Sequence, residues 1–543
     1  MSDKIEDTAP QGGEQDAQDA NSIVAEADTG ARSPSGIPAK ILWYVPLAWA
    51  VFQLWLASPL PFMLRFGIFN STEARSIHLA FAIFLAFLAF PALKRSPRKY
   101  IPIQDWVFAL VAAFCAAYQF TFFLDLSERP GLPTTMDIVI SVAGLVFILE
   151  ATRRALGPPL MVVAAVFMCY TFFGHMAPEI IAWKGASLNK AMSHYYLTTE
   201  GVYGIALGVS TSMVFLFVMF GSLLEKAGAG NYFIRVAFAL MGHMRGGPAK
   251  AAVVSSAMTG LVSGSAIANV VTTGTFTIPL MRRVGFSAEK AGAVEVASST
   301  NGQLTPPIMG AVAFLMIEYV GISYVEVIKH AALPALISYI ALVYIVHLEA
   351  LKADMKGLPR RAPPNFVRSL MNFLLTFLGF VVLTAAVYFG LGWMKDAFGD
   401  ATLYVAVVLL VITYVALIYY ACKFPEIDTS LEIVELPETA PTIKAGLYYL
   451  LPVVVLVWCL TVERLSPGLS AYYATLFMLF VLLTQRPLKA IIRKTGEKVG
   501  DGLREGAKDT LDGLIAGARN MIGIGVATAA AGIIVGTISL TGI

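Results

Sequence analysis

An all-α polytopic membrane protein is the fold class this sequence predicts, on three observations. Hydrophobic residues make up 57% of the 543 residues and charged residues only 14%, where soluble domains carry about 25% charge. Mean hydropathy is +0.71, and apolar runs close to the roughly 20 residues that cross a bilayer recur along the chain. Two of those runs are interrupted by glycines, hydroxyls and an amide, which lipid tolerates only where protein or a watery cavity pairs the freed backbone groups. The net charge of +3 gives no reason to expect a nucleic-acid partner, and the expected surroundings are membrane lipid.

The first 39 residues are polar, acidic on balance and without the basic start and apolar core of a signal peptide. They predict a disordered cytoplasmic tail. Spans are then expected at Ile41–Met63, Ile77–Leu93, Trp106–Leu124, Ile138–Ala151 and Pro158–Phe173. The polar stretch from His175 to Glu200 reads as an interfacial or linker segment. Val202–Leu224 follows, then Tyr232–Met241, which is too short to span and is expected at the membrane surface. Lys250–Pro279 and Ala291–Met316 are the two interrupted runs. Ala331–His347, Leu370–Trp393, Thr402–Tyr420, Leu447–Val462, Ala471–Leu483 and Ile522–Ile543 complete the set. Cys422–Lys444, with three prolines, reads as an exposed loop, and Arg486–Lys508, with seven Lys and Arg, as a cytoplasmic amphipathic connection.

Basic residues orient the chain. Lys94, Arg95, Arg98 and Lys99 follow the second span, and Arg153 with Arg154 follow the fourth. Positive charge favours the cytoplasmic side, so a cytoplasmic N-terminus satisfies both clusters. Arg282 and Arg283 close the first interrupted run and are expected to anchor it at that same face. The four cysteines sit far apart in apolar segments with no metal or redox spacing.

The interruptions carry the functional signal. Lys250–Val262 stops at Ser263-Gly264-Ser265, and a second apolar piece runs from Ala266 to Leu280, with Pro279 marking its boundary. Two half-length helices joined by a Gly-Ser tip predict a re-entrant hairpin. A single kinked span whose small residues allow close packing is the plainer alternative, but Asn269, Thr272 and Thr273 add more polarity than packing requires. In the second run the break is expected from Ser298 to Gly302, with helix resuming beyond Pro306-Pro307. Freed carbonyls beside Ser298, Ser299, Thr300 and Thr305 are hard oxygen ligands suited to an alkali cation, and half-helix N-termini suit a carboxylate. An anion and a coupling cation bound side by side are therefore expected. Glu150, Glu225, Glu318 and Glu349 lie near span ends, where hydrated or paired side chains are ordinary. Glu295 lies just before the second break, and burial there would let it carry a proton.

At these residues the chain resembles the large membrane subunit of a TRAP (tripartite ATP-independent periplasmic) transporter. The resemblance rests on Gly264-Ser265-x-x-Ala268-Asn269 and Ser298-Ser299-Thr300-x-Gly302-x-x-x-Pro306-Pro307, with support from Phe220-Gly221 through Gly230 and from Arg245–Ala252. Asn269, where many relatives carry Asp, and the following Val-Val-Thr-Thr-Gly are similar to the TAXI-type branch, in which small and large membrane subunits are fused. The resemblance implies an ion-transporter-like inverted-repeat fold and elevator-like motion of the hairpin domain. It also implies uptake of an organic-acid substrate across the bacterial inner membrane, handed over by a periplasmic solute-binding protein. Matched by position, Ser265, Asn269, Thr300, Gly302 and Pro306 are the candidate ion-binding residues, with Na+ at Ser265, Asn269 and Thr300. Loss of the Asp charge at Asn269 keeps protons open as the coupling ion. Ser263, Thr272, Thr273, Ser298, Ser299 and Asn301 are the candidate substrate-binding residues, and no further cofactor is expected. The implied organisation is a tail over 1–39, small-subunit-like scaffold helices over 40–190 and a first transport repeat over 191–350. Connecting helices with an amphipathic segment follow over 351–513, and the start of a second repeat over 514–543.

Other classes fit less well. The chain has no His-Glu-x-x-His motif, no pair of mid-span aspartates and no evident histidine partner for Ser263, so an intramembrane enzyme is disfavoured. A channel would need a continuous polar lining. A binding-protein-independent anion symporter is the closest alternative. Gly532–Ile543 is similar to the helix before the hairpin, and no second hairpin follows it, so the sequence predicts a cut-short second repeat. The expected outcome is that this chain alone does not transport; ion-dependent uptake by it in proteoliposomes would refute that.

Overall fold

The computed structural model describes residues 31–93, 95–358, 397–426, 436–494 and 498–542, together with 371, 374, 378, 390 and 393. It is 79% helical, and no strand occurs among the described residues. Among the described residues ten helices are long and apolar enough to cross a membrane, or eleven with one bent pair. The all-α, multi-pass class expected from composition is what forms. The expected span Leu370–Trp393 lies largely outside the described residues, as do residues 1–30 of the tail. The chain divides into two compact units, one of Met1–Leu56, Pro61–Thr211 and Ala518–Ile543, the other of Ala57–Leu60 and Ser212–Gly517.

In the first unit, α1 (Ile37–Ala57), α2 (Ser71–Ala89), α3 (Ile103–Thr121), α4 (Thr135–Leu156) and α5 (Pro158–Phe173) follow one another. The first expected span divides at Ser58-Pro59, and Leu60–Leu64 is a separate short helix. Helices α2 and α4 begin before their apolar runs because polar capping boxes start them. The Asn70 side chain accepts from the Glu73 N–H at 2.9 Å while Glu73 accepts from the Asn70 N–H at 2.9 Å, and Thr134 with Asp137 repeats the device. Several buried polar groups inside the unit are paired. Gln53 bonds His78 at 2.8 Å, and His78 bonds Ser210 at 3.1 Å. Arg154 reaches Asp105 at 2.8 Å and Glu150 at 2.7 Å. The stretch from His175 to Glu200 contains a series of short helical turns, among them Leu188–Met192 and a wide turn at Ser193–Leu197.

The second unit holds α6 (Phe215–Lys226), α7 (Ala229–Met241), α8 (Gly247–Ser263), α9 (Ala266–Arg283), α10 (Ala288–Asn301), α11 (Ala311–Val320) and α12 (Tyr324–Lys352). The same unit holds α13 (Thr402–Ala421), α14 (Leu451–Thr461), α15 (Pro467–Arg493) and the first part of α16 (Val499–Thr541). Helix α7 packs on the hairpin, with Ile234, Ala237 and Phe238 buried against Ala251 and Leu280. Two expectations need correction. Pro279 does not end its helix, because α9 continues to Arg283. Of the expected connection Arg486–Lys508, Arg486–Arg493 ends α15 while Val499–Lys508 opens α16, which continues through the final apolar run as one helix of 43 residues; no proline interrupts the sequence after Pro487.

Helices α8 and α9 form the hairpin. Of 17 and 18 residues, each is about 26 Å long at 1.5 Å per residue, a little short of the roughly 30 Å hydrocarbon core. They run antiparallel: Thr259 bonds Asn269, and three residues further down one arm Ser256 bonds Thr273, four residues up the other. Gly260 lets the broken second element approach, since a Cβ there would sit 2.6 Å from the Gly302 Cα. Replacing Gly260 with Val should lower stability by about 1–3 kcal/mol through overpacking, read as earlier thermal unfolding in detergent. Gly292→Ala, where an added Cβ meets nothing within 4 Å, should leave unfolding unchanged or slightly later.

Candidate functional site: the hairpin tip and the broken helix

The hairpin closes at Gly264, whose φ of +60° ends α8 in the left-handed conformation. A Cβ there would fall 2.3 Å from the Met309 carbonyl oxygen, so the tip lies directly on the break of the second element. That break starts later than expected. Helix α10 continues through Ser298–Asn301, followed by a tight turn at Gly302–Leu304 and non-helical chain through Pro306-Pro307, joined by a cis peptide, to Gly310. The reason is local: the Ser298 hydroxyl donates to the Val294 carbonyl at 2.7 Å and the Thr300 hydroxyl to the Val296 carbonyl at 2.7 Å. Such back-bonding satisfies both side chains inside a helix. Gly302 and the prolines, which lack donors, are what stop it.

Behind the tip, Glu295 of α10 is fully buried. Four hydroxyls on three helices lie within hydrogen-bonding distance of its carboxyl oxygens: Ser256 of α8 at 3.3 Å, Ser299 of its own helix at 3.2 Å, and Thr273 and Thr277 of α9. Gly274 makes room for the side chain, since a Cβ at that position would lie 3.1 Å from the Glu295 Cγ. One turn nearer the tip, Asn269 is buried and bridges the arms. Its amide donates to the Ser256 carbonyl at 3.0 Å, and its oxygen accepts from the Thr259 hydroxyl. Thr273 joins the two clusters, because its hydroxyl also lies 2.7 Å from the Asn269 carbonyl.

The residues singled out from sequence divide into those brought together and those held apart. Asn269, Thr273 and Ser299 converge around Glu295, and Gly302 packs beside them against Gly260. Thr300 is exposed on the other face of α10. Thr272 turns away to donate to Glu225 at 2.7 Å. Ser298 faces α12, where its carbonyl accepts from Tyr339 at 3.3 Å. The Asn301 carbonyl accepts from Thr305 at 3.0 Å, and Pro306 lies half-buried in the break. Ser265 follows Gly264 at the tip, and its carbonyl accepts the Asn269 N–H at 3.0 Å. Ser263 ends α8, and its side chain lies outside the described residues. The side chains proposed for sodium therefore do not form one oxygen cage: the Asn269 oxygen is taken by Thr259, and Thr300 points elsewhere. Sequence reasoning missed Ser256, Thr259 and Thr277. Their signal was spacing, with Ser256 and Thr259 three apart and Thr273 and Thr277 four apart, each pair on one helix face.

Among the described residues of this unit, one cavity adjoins the hairpin and a second lies near it. A small one of about 20 Å³, room for about one water, lies among Gly221, Glu225, Phe233, Thr259, Asn269 and Thr272. A broad polar cleft of about 1180 Å³ is lined by Glu225, Lys226, Arg486, Lys489, Arg493 and Glu505 among others. Glu225 borders both.

Residues 143–543 match the family described as "Tripartite ATP-independent periplasmic transporter, DctM component". The chain belongs to this family. It is 26% identical over 260 residues to the sialic acid TRAP transporter large permease protein of Vibrio cholerae, covering 48% of this chain and 58% of that protein. It is also 26% identical over 197 residues to the C4-dicarboxylate TRAP transporter large permease protein of Pseudomonas aeruginosa, covering 36% and 45%. A third match, 26% over 200 residues, is to the ectoine TRAP transporter large permease protein of Halomonas elongata, covering 36% and 46%. The chain spans about half the length of the curated relatives it matches.

In this DctM-family chain the amide at Asn269 braces the hairpin, which needs a donor and an acceptor together. Asn269→Asp should cost about 1–3 kcal/mol of stability, since a carboxylate cannot donate to the Ser256 carbonyl. Thermal unfolding of the purified variant checks this, and a variant as stable as the parent would show that the bridge is not needed.

Proposed function

We propose that the chain is a permease component that takes up an organic acid (a carboxylate) across the bacterial inner membrane by secondary transport. An ion gradient drives the uptake, and a periplasmic solute-binding protein delivers the substrate. One observation carries the reading: in a chain otherwise built of apolar helices, a hairpin tip and a helix break abut, with buried polar groups gathered beside them. Membrane-embedded breaks of this kind are where carriers bind substrate and coupling ion. Membership of the DctM family and the names of the relatives support the same class and speak against an enzyme.

In this reading the substrate carboxylate meets the hairpin and the N-terminal end of α11, near Ser263 and Asn301. Thr272, Thr273, Ser298 and Ser299 stay as the wider substrate set. Ser265, Asn269, Thr300, Gly302 and Pro306 remain the ion-site proposal from resemblance, with backbone carbonyls at the break as the ligands that a sodium ion would use. The broad cleft that reaches Glu225 is proposed as the aqueous path on the side carrying Arg486, Lys489 and Arg493, whose charge favours the cytoplasm. The helices of residues 40–190 are proposed as a fused small-subunit-like scaffold, against which the hairpin domain moves as an elevator.

The alternative is an anion symporter that needs no binding protein. Disrupting the coding sequence in its host should abolish gradient-dependent uptake of one carboxylate. Disrupting the gene of a neighbouring secreted solute-binding protein should abolish the same uptake. Uptake that survives loss of the binding protein would favour the independent symporter.

A further inference from the structure

We infer that Glu295 is a proton-binding site, with the proton held on the carboxyl oxygen facing Thr273 and donated to the Thr273 hydroxyl. This deepens the proposed function, on which it rests for its role in coupling, by naming the ion and its seat. No position in the candidate ion set includes Glu295.

Hydrogen counting carries the inference. Thr273 has one hydroxyl hydrogen and three oxygens within reach: the Asn269 carbonyl one turn back at 2.7 Å, the Glu295 carboxyl, and the Ser256 hydroxyl at 3.3 Å, which can itself donate. If that hydrogen goes to the Asn269 carbonyl, as threonine back-bonding in helices does, the contact with Glu295 needs a hydrogen from the other side. A carboxylic acid supplies it. Thr277 then donates to the second carboxyl oxygen, while Ser299 and Ser256 donate to the first. Every polar hydrogen in the cluster has an acceptor. With Glu295 ionised, one Thr273 hydrogen must serve two oxygens.

Charge argues the same way. A fully buried carboxylate without a cation is costly, and such groups are paired or neutralised. The charged and titratable groups on the packed helices are engaged elsewhere or lie at their ends. On α8, Lys250 bonds His347 of α12 at 3.0 Å. On α9, Arg282 and Arg283 are exposed at the C-terminal end. On α12, Tyr339 bonds the Ser298 carbonyl and Glu349 pairs with Lys290 of α10, whose remaining acid, Glu289, sits in its first turn. Among the described residues no lysine, arginine or histidine bonds Glu295, and four hydroxyls are its partners. Hydroxyls can take either hydrogen-bonding role, so the cage holds the acid and its anion with the same atoms. Losing the proton would reverse the Thr273 bond and draw its hydrogen from the Asn269 carbonyl. The protonation state is thereby linked to the hairpin arm that carries Asn269.

The test is infrared difference spectroscopy of the purified chain in lipid bilayers, titrated with acid and base to follow the C=O stretch of protonated carboxyl groups. A band is expected that Glu295→Gln removes. Thr273→Val, which removes the acceptor of the proton, should weaken proton binding about tenfold and move the midpoint about one unit lower. Thr277→Val, which removes a donor that favours the anion, should move it about one unit higher. A higher midpoint in Thr273→Val would overturn the proposal, because it would mean that Thr273 donates to an ionised Glu295. So would a band that survives Glu295→Gln, or one that sodium abolishes at constant pH and ionic strength. The spectra need no uptake, so a failed transport assay and a failed proton site are told apart.

Discussion

A buried carboxyl with four hydroxyl partners ties three helices of this protein together, and the arrangement of the hairpin follows from it. Glu295 belongs to the broken element, Ser256 to one hairpin arm, and Thr273 and Thr277 to the other. Lipid offers no partner for any of these groups, so arms and broken helix must stay in register for all of them to be satisfied. A hydrogen bond contributes about 0.5–1.5 kcal/mol net, and a buried orphan costs about 1–3 kcal/mol. The cluster is therefore both a fastening and a constraint on how the hairpin can move.

Small residues make the fastening possible. Gly260 and Gly302 bring two backbones together, Gly264 sets the tip on the Met309 carbonyl, and Gly274 opens a seat for the Glu295 side chain. Each is a place where a Cβ would force the elements apart. Asn269 then locks the arms above the cluster. A motion that carried the hairpin relative to its surroundings would have to carry the α10 end with it, since separating them exposes five or more polar groups at once.

The legible part of this arrangement was the part that breaks local rules. Ser263-Gly264-Ser265 and Pro306-Pro307 cannot sit within plain spanning helices, so the hairpin and the second interruption could be read from residues alone. Glu295 stood out by its position before the break. Ser256, Thr259 and Thr277 did not, because hydroxyls on an apolar helix look like packing residues until antiparallel pairing places them opposite a carboxyl. Asn269 was visible as a polar group, but its service as a brace depends on Thr259 and on the Ser256 carbonyl, which only the fold brings near. The errors have the same origin. Pro279 looked like the end of its helix, yet α9 runs on to Arg283, and α16 looked divided by its charges although nothing in its backbone stops it.

The central claim is that the Glu295 carboxyl fastens the broken helix to the hairpin. A double-mutant cycle between Glu295→Gln and Thr277→Val, read as unfolding free energy in detergent, tests it most directly. The account predicts a coupling of about 1–3 kcal/mol, as for residues sharing one hydrogen-bond network. Strictly additive losses would mean that the two side chains do not meet, and the shared site would be lost with them.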